Sequence, residues 1–121
     1  MITTEAAPLE RAAALEAAGA QVLVCGAGPQ VDLPLALRKL AEQEIGSILL
    51  EGGGRLNGAM LAAGLVDKVV LFIAPKIIGG SAAPSSFAFD GFDTMDEAIG
   101  LNNIEIERFG DDVCIIGYPS Y

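Results

Sequence analysis

Four consecutive residues, Glu51, Gly52, Gly53 and Gly54, have the types and spacing that could do chemistry. They follow an apolar run at 48–50 and precede a segment of helical character that begins near residue 56. Glycines between a strand and a helix let the backbone approach a ligand, and the free N–H groups of a helix start favour phosphate. A carboxylate repels phosphate, so Glu51 is expected to point sideways and accept hydrogen bonds from a neutral or NH-bearing substrate.

The glycine pattern alone leaves two interpretations open. Gly52, Gly54 and Asn57 occupy the three glycine places of the dinucleotide-binding fingerprint, so the third place is not glycine. No Lys-Ser or Lys-Thr pair follows, so the P-loop pattern is not met either. Phosphate binding and a purely structural turn therefore both remain possible, and Glu51 could be an exposed strand-end residue without a role.

Composition excludes several classes of function. The chain has a formal charge of −9 with its seven Lys and Arg residues scattered, which argues against nucleic acid as a partner. No apolar run reaches the roughly 18 residues that a membrane helix needs. The chain contains no His, so His-ligated metals and Ser-His-Asp triads are excluded, and no metal site is predicted. Cys25 and Cys114 lie in apolar runs and are expected to be buried free thiols of a cytoplasmic protein.

The order of the elements predicts an α/β fold in one compact domain. Continuous apolar strands separated by helices indicate parallel pairing, and a terminal hairpin adds antiparallel strands, which makes the sheet mixed. The loop at 75–92 is long for a compact domain, which favours contact with a ligand or partner. The predicted elements are strands at 2–3, 21–25, 47–50 and 66–74, helices at 8–18, 32–46 and 56–63, a capped short helix at 94–97, and a hairpin of 103–109 with 113–118.

Three stretches together carry a family resemblance. They are Glu-Gly-Gly-Gly-Arg-Leu-Asn-Gly at 51–58, Ala-Gly-Leu-Val-Asp at 63–67 and Ala-Pro-Lys-Ile-Ile-Gly-Gly at 74–80. In combination and spacing they resemble the reductase domain of the bifunctional riboflavin-biosynthesis deaminase/reductase. The resemblance runs over nearly all of this chain but covers only about the second half of that reductase domain.

The resemblance implies a fold, a reaction and a set of site residues. The fold is dihydrofolate-reductase-like, a three-layer αβα arrangement with a mostly parallel sheet and a C-terminal antiparallel hairpin, here incomplete. The reaction is NADPH-dependent reduction of 5-amino-6-(5-phosphoribosylamino)uracil, with hydride delivered to C1′ of the open-chain imine to give the ribitylamino product. By the same resemblance Glu51 contacts the substrate, and the NADPH-binding residues are Gly52, Gly53, Gly54, Arg55, Leu56, Asn57, Gly58 and Ala59.

The resemblance also implies what this chain lacks. Residues 1–121 correspond to the C-terminal half of the reductase domain, without the deaminase domain and its zinc motif. Most contacts to the substrate phosphate and to the NADP 2′-phosphate belong to the other half, so weak or absent turnover and a homodimer are expected. Two other functions remain open: another reductase of the dihydrofolate-reductase superfamily, and a non-catalytic module for nucleotide binding or dimerisation.

Overall fold

The computed structural model describes all 121 residues and divides them into two compact units, Met1–Leu49 and Leu50–Tyr121. The first unit contains two short strands and two helices. The second contains one helix, three strands and a short 3₁₀ turn at Met95–Glu97. In chain order the elements are β1 (Ile2–Thr3), α1 (Leu9–Ala17), β2 (Leu23–Val24), α2 (Leu33–Ala41), α3 (Gly54–Ala62), β3 (Val69–Ile73), β4 (Gly100–Phe109) and β5 (Asp112–Ser120).

The first unit follows the predicted strand–helix–strand–helix order. β1 and β2 pair in parallel, with Ile2 opposite Leu23. The intervening helix, α1, begins after Pro8, whose missing N–H costs nothing at a helix start, and it ends before Gly19 at φ 87°. Cys25, the residue immediately after β2, is fully buried, as expected for a free thiol.

Both ends of α2 can be traced to local chemistry. The Asp32 side chain accepts a hydrogen bond from the Leu35 N–H at 2.8 Å, which confirms the predicted cap. The predicted stop at Gly46 is wrong, because the helix ends at Ala41. The left-handed residue that follows is Glu44, at φ 62°, although the sequence offers a glycine two residues later.

The predicted strand at 47–50 is not formed. This segment carries no regular secondary structure, and neither sheet includes it. Leu49 is 82% exposed and Ile48 is 49% exposed. A strand is stabilised by hydrogen bonds to a neighbouring strand, and this segment pairs with no strand of the chain. The prediction of a buried strand at 47–50 is therefore wrong.

The second unit is built on an antiparallel sheet in the order β3-β5-β4. β5 is central, so Cys114 has Phe72 of β3 on one side and Glu107 of β4 on the other, and it is 1% exposed. The predicted hairpin is confirmed: Phe109 pairs with Asp112 across a two-residue turn. The first turn residue is Gly110 at φ 64°, a conformation that glycine adopts without strain.

The remaining elements of the second unit agree with local signals. α3 begins at Gly54, two residues before the predicted start, and Gly64 at φ 67° follows its end as predicted. The 3₁₀ turn carries the predicted capping box, in which the Thr94 N–H donates to the Glu97 carboxylate at 3.2 Å.

The predicted α/β class is confirmed, with one parallel strand pair and a C-terminal antiparallel hairpin. The strands lie in two separate sheets, one in each unit, because the predicted strand at 47–50 joins neither. The three α-helices are all too short for the apolar span that a membrane crossing requires.

Candidate functional site

The glycine turn at 51–53 leads directly into α3, and Gly53 is the residue that caps the helix. Its backbone lies at φ 79° and ψ 170°, a region that is accessible essentially only to glycine. No atom lies within 4 Å of the place where a Cβ on Gly53 would stand. This position therefore combines a glycine-only backbone with open space, which allows a ligand to approach the main chain.

The start of α3 presents N–H groups without acceptors in the chain. The first hydrogen-bonded amide at this end is that of Asn57, which donates to the Gly53 carbonyl at 3.0 Å. The N–H groups of Gly54, Arg55 and Leu56 precede it and form no hydrogen bond. The helix dipole adds partial positive charge there, and the exposed Arg55 side chain adds a full one. An anion such as a phosphate suits this end of the helix.

Glu51 is exposed at the beginning of the turn and its carboxylate forms no hydrogen bond within the chain. Gly52 is pressed against Leu56, because a Cβ on Gly52 would overlap the Leu56 side chain. Leu56 therefore packs beside the turn. The carboxylate and the free amides are separated by only two residues in sequence, so one ligand or two adjacent ligands could meet both groups.

A segment of the long loop, residues 85–88, lies against the first half of α3, and we call this segment the strap. The strap residue Ala88 donates its N–H to the Gly54 carbonyl at 2.8 Å. A Cβ on Gly54 would overlap the carbonyl oxygen of Ser85, and a Cβ on Gly58 would lie 2.6 Å from that of Ala88. Gly58 is buried under this contact. Both helix glycines are thus needed for the close approach of the strap.

Asn57 ties the strap to the helix with its side chain. The Asn57 Nδ2 group donates to the Ser86 carbonyl at 3.2 Å. The Asn57 Oδ1 atom is buried and receives no hydrogen bond from the chain. A buried acceptor without a donor costs free energy, so this oxygen is placed to accept a hydrogen bond from water or a ligand.

The structure brings the predicted site residues together along one turn and one helix. Glu51, Arg55 and Ala59 are exposed, whereas Gly58 is buried. The strap is the part that the sequence did not reveal as a neighbour of the glycines. From its length, the loop at 75–92 was expected to contact a ligand or partner, which stays a prediction; its contact with α3 was not expected. No group of three or more His, Cys, Asp or Glu side chains is arranged to hold a metal ion.

Comparison with known proteins places this geometry in context. The family model described as the RibD C-terminal domain matches residues 1–115. A riboflavin biosynthesis protein RibD from Actinobacillus pleuropneumoniae is 37% identical over 116 residues, covering 95% of this chain and 31% of that protein. A 2,5-diamino-6-ribosylamino-4(3H)-pyrimidinone 5′-phosphate reductase from Methanothermobacter thermautotrophicus is 41% identical over 112 residues, covering 93% of this chain and 51% of that protein.

The fold is also similar to a solved structure. Acinetobacter baumannii RibD, form 1, matches with a TM-score of 0.74 at 23% sequence identity, over 99% of this chain and 31% of that chain. At this identity the match supports the fold. The chain spans about a third to a half of the length of these proteins.

Proposed function

Because this chain belongs to the RibD C-terminal domain family, we propose that it forms part of a reductase of riboflavin biosynthesis. The proposed reaction is the NADPH-dependent reduction of a phosphorylated ribosylaminopyrimidine to its ribitylamino product. Relatives named as RibD and as a diaminopyrimidinone phosphate reductase support this reaction class. The observation in this chain that carries the proposal is the start of α3, where three amides without acceptors follow a glycine-only turn.

The residues present suit a dinucleotide phosphate. The N–H groups of Gly54, Arg55 and Leu56 would hold the phosphate oxygens, and the Arg55 guanidinium would add charge. Gly53 leaves open space for the approach, Gly52 gives room to the Leu56 side chain, and Asn57, Gly58 and Ala59 continue the same helix. Bound NADPH would supply the hydride for the reduction. The protein contributes position: it holds the cofactor and the sugar in reach of each other.

Glu51 is the proposed substrate contact. Its exposed carboxylate accepts hydrogen bonds only, which suits the amino and ring N–H groups of an aminopyrimidine. Two such pyrimidines are candidates: 5-amino-6-(5-phosphoribosylamino)uracil, and the compound in the name of the Methanothermobacter relative, which carries an amino group at ring position 2. An assay of both compounds as substrates would show whether the enzyme prefers a pyrimidine with an oxo group or one with an amino group at ring position 2.

The proposal treats residues 1–121 as the C-terminal half of a reductase domain, with no deaminase domain among them. The fraction of each relative that the chain spans supports this assignment. The isolated 121 residues are then expected to bind NADPH saturably, with weak or absent turnover. Their affinity for NADH should be similar, because most contacts to the NADP 2′-phosphate belong to the other half of the domain. Fluorescence titration and an NADPH-oxidation assay with both pyrimidines measure these quantities. Robust turnover would contradict the assignment to half a domain.

The same titration separates the alternative functions. A non-catalytic module for nucleotide binding or dimerisation is favoured by saturable NADPH binding without turnover in the full-length protein. Another reductase of the dihydrofolate-reductase superfamily is favoured by turnover with a different pterin or pyrimidine. The absence of saturable NADPH binding would mean that the chain has no cofactor site and that the glycine turn has only a structural role.

A homodimer is part of the proposal, and exposed apolar surface in the second unit supports it. β4 is an edge strand of the sheet, and its Ile104 and Ile106 are 56% and 69% exposed. Ile77 and Ile78 of the long loop are also almost fully exposed. Edge strands and apolar patches of this kind favour association with a second copy. Analytical sedimentation is expected to show a dimer, and a single monomeric species would contradict it.

The proposed compartment is the cytoplasm. Both cysteines are free and buried, and a pair of reduced thiols is typical of reducing compartments. Dependence on NADPH would agree with the same location.

A further inference from the structure

We infer that the strap is a positioning element for the glycine turn: Asn57 and Gly58 seat the strap on α3, and the seated strap holds Gly54 in place. The amides that follow Gly53 are thereby ordered before any ligand arrives. The identity of that ligand as NADPH rests on the proposed function, but the ordering of the turn does not. The inference concerns a contact between residues about thirty positions apart in the sequence.

The missing side chain of Gly58 leaves a space on α3 that the Ala88 backbone of the strap fills, and we call this space the notch. A Cβ at this position would lie 2.6 Å from the Ala88 carbonyl oxygen, 2.7 Å from its carbon and 2.9 Å from its nitrogen. These atoms belong to the strap backbone, which cannot move aside as a flexible side chain can. Alanine favours a helix interior over glycine, so Gly58→Ala leaves helix propensity intact and acts by excluding the strap.

Two hydrogen bonds join the strap to the start of α3. The Ala88 N–H reaches the Gly54 carbonyl at 2.8 Å, and Asn57 Nδ2 reaches the Ser86 carbonyl at 3.2 Å. The strap is bent internally by the Ser85 hydroxyl, which donates to the Phe87 carbonyl at 2.7 Å. Gly54 therefore belongs both to the strap contact and to the proposed phosphate-binding amides.

Without the strap, the glycine turn would have little to hold its backbone in one conformation. Gly52 and Gly53 form no hydrogen bond to the rest of the unit apart from the helical bond that the Gly53 carbonyl accepts. Glycine has the largest backbone freedom of any residue, so an unanchored turn of this kind fluctuates. Each residue that a ligand must then order weakens binding by roughly tenfold.

The test uses Gly58→Ala and Asn57→Ala in the nucleotide-free protein, with ¹⁵N relaxation as the readout. In the wild type, the amide order parameters of Gly54 and Ala88 are expected to be about 0.85, the value of rigid backbone. In both variants they should fall below about 0.6, together with those of Gly52 and Gly53. Gly100→Ala is the matched control, since a Cβ there meets no atom within 4 Å, and it should change none of these values.

Two results would overturn the inference. In one, the strap loses order while Gly52, Gly53 and Gly54 keep theirs, so the turn is ordered by something else. In the other, Gly58→Ala leaves the order of Ala88 unchanged, so the notch does not seat the strap. Neither result depends on a nucleotide.

A second measurement links the strap to binding. The dissociation constant for NADPH is expected to rise about tenfold in Gly58→Ala and Asn57→Ala and to stay unchanged in Gly100→Ala. Unchanged affinity in both variants, with a disordered turn, would refute a positioning role for the strap. Failure of the wild-type chain to bind NADPH would instead refute the proposed function, while the relaxation data would still decide the strap.

Discussion

Replacement of Gly53 by alanine is expected to weaken NADPH binding by roughly 5- to 150-fold. The residue lies at φ 79° and ψ 170°, where a residue with a Cβ costs about 1–3 kcal/mol. At about 1.36 kcal/mol per factor of ten, this strain gives the stated range if the variant must regain the strained backbone to bind. The open space around Gly53 means that the added methyl group meets nothing. The effect therefore reports backbone conformation and not a clash.

The structural consequence of this substitution is local. Alanine at position 53 relieves its strain by rotating the backbone, which turns the following amide of Gly54 away from the ligand. The α3 helix itself begins beyond the altered residue, so its helical content should be preserved.

Fluorescence titration with NADPH measures the loss, and far-ultraviolet circular dichroism checks the helix. The control is Gly100→Ala, which also adds a methyl group in open space but at a residue without positive φ. Equal NADPH affinity for Gly53→Ala and the wild type would mean that the ligand does not depend on the conformation of this turn.

Replacement of Glu51 by glutamine is expected to weaken binding of the phosphorylated aminopyrimidine by roughly 10- to 150-fold. The change keeps the size of the side chain and removes its charge. A hydrogen bond to a charged group contributes about 1.5–3 kcal/mol, which converts to this range. NADPH affinity should not fall, because a carboxylate near phosphates is unfavourable and its removal relieves repulsion.

Calorimetric titration with the substrate, followed by the same titration with NADPH, separates the two effects. Glu107→Gln is the matched control: it removes the same charge from an exposed position on β4 in the same unit. If Glu51→Gln leaves substrate binding unchanged and only strengthens NADPH binding, Glu51 acts as a background charge and does not contact the substrate.

Signals within a few residues predicted much of the fold. Asp32 fixed the start of α2, Gly19 and Gly64 followed the ends of two helices, and alternation around Gly110 produced the terminal hairpin. Each of these depends on a cap or turn whose partners are neighbours in sequence, so the local residues suffice. The motif residues likewise predicted the family to which the chain belongs.

The candidate site was predicted in part. Residues 51–59 form one turn and one helix start, as expected from three glycines after an apolar run. Their contact with NADPH and the substrate stays a prediction. The second use of Gly54 and Gly58, as the surface on which the strap packs, could not be read from the glycines themselves, because a missing side chain does not show what fills its space.

By itself the sequence determined the types of most elements, several caps, the family and the position of the glycine turn, since these follow from residue chemistry over short distances. Only the tertiary structure decided that residues 47–50 join no sheet, that the strands divide into two sheets, and that the strap lies on α3. The physical reason is the same in each case. Strand pairing and close backbone packing require a partner far along the chain, and whether that partner is adjacent is a property of the folded molecule.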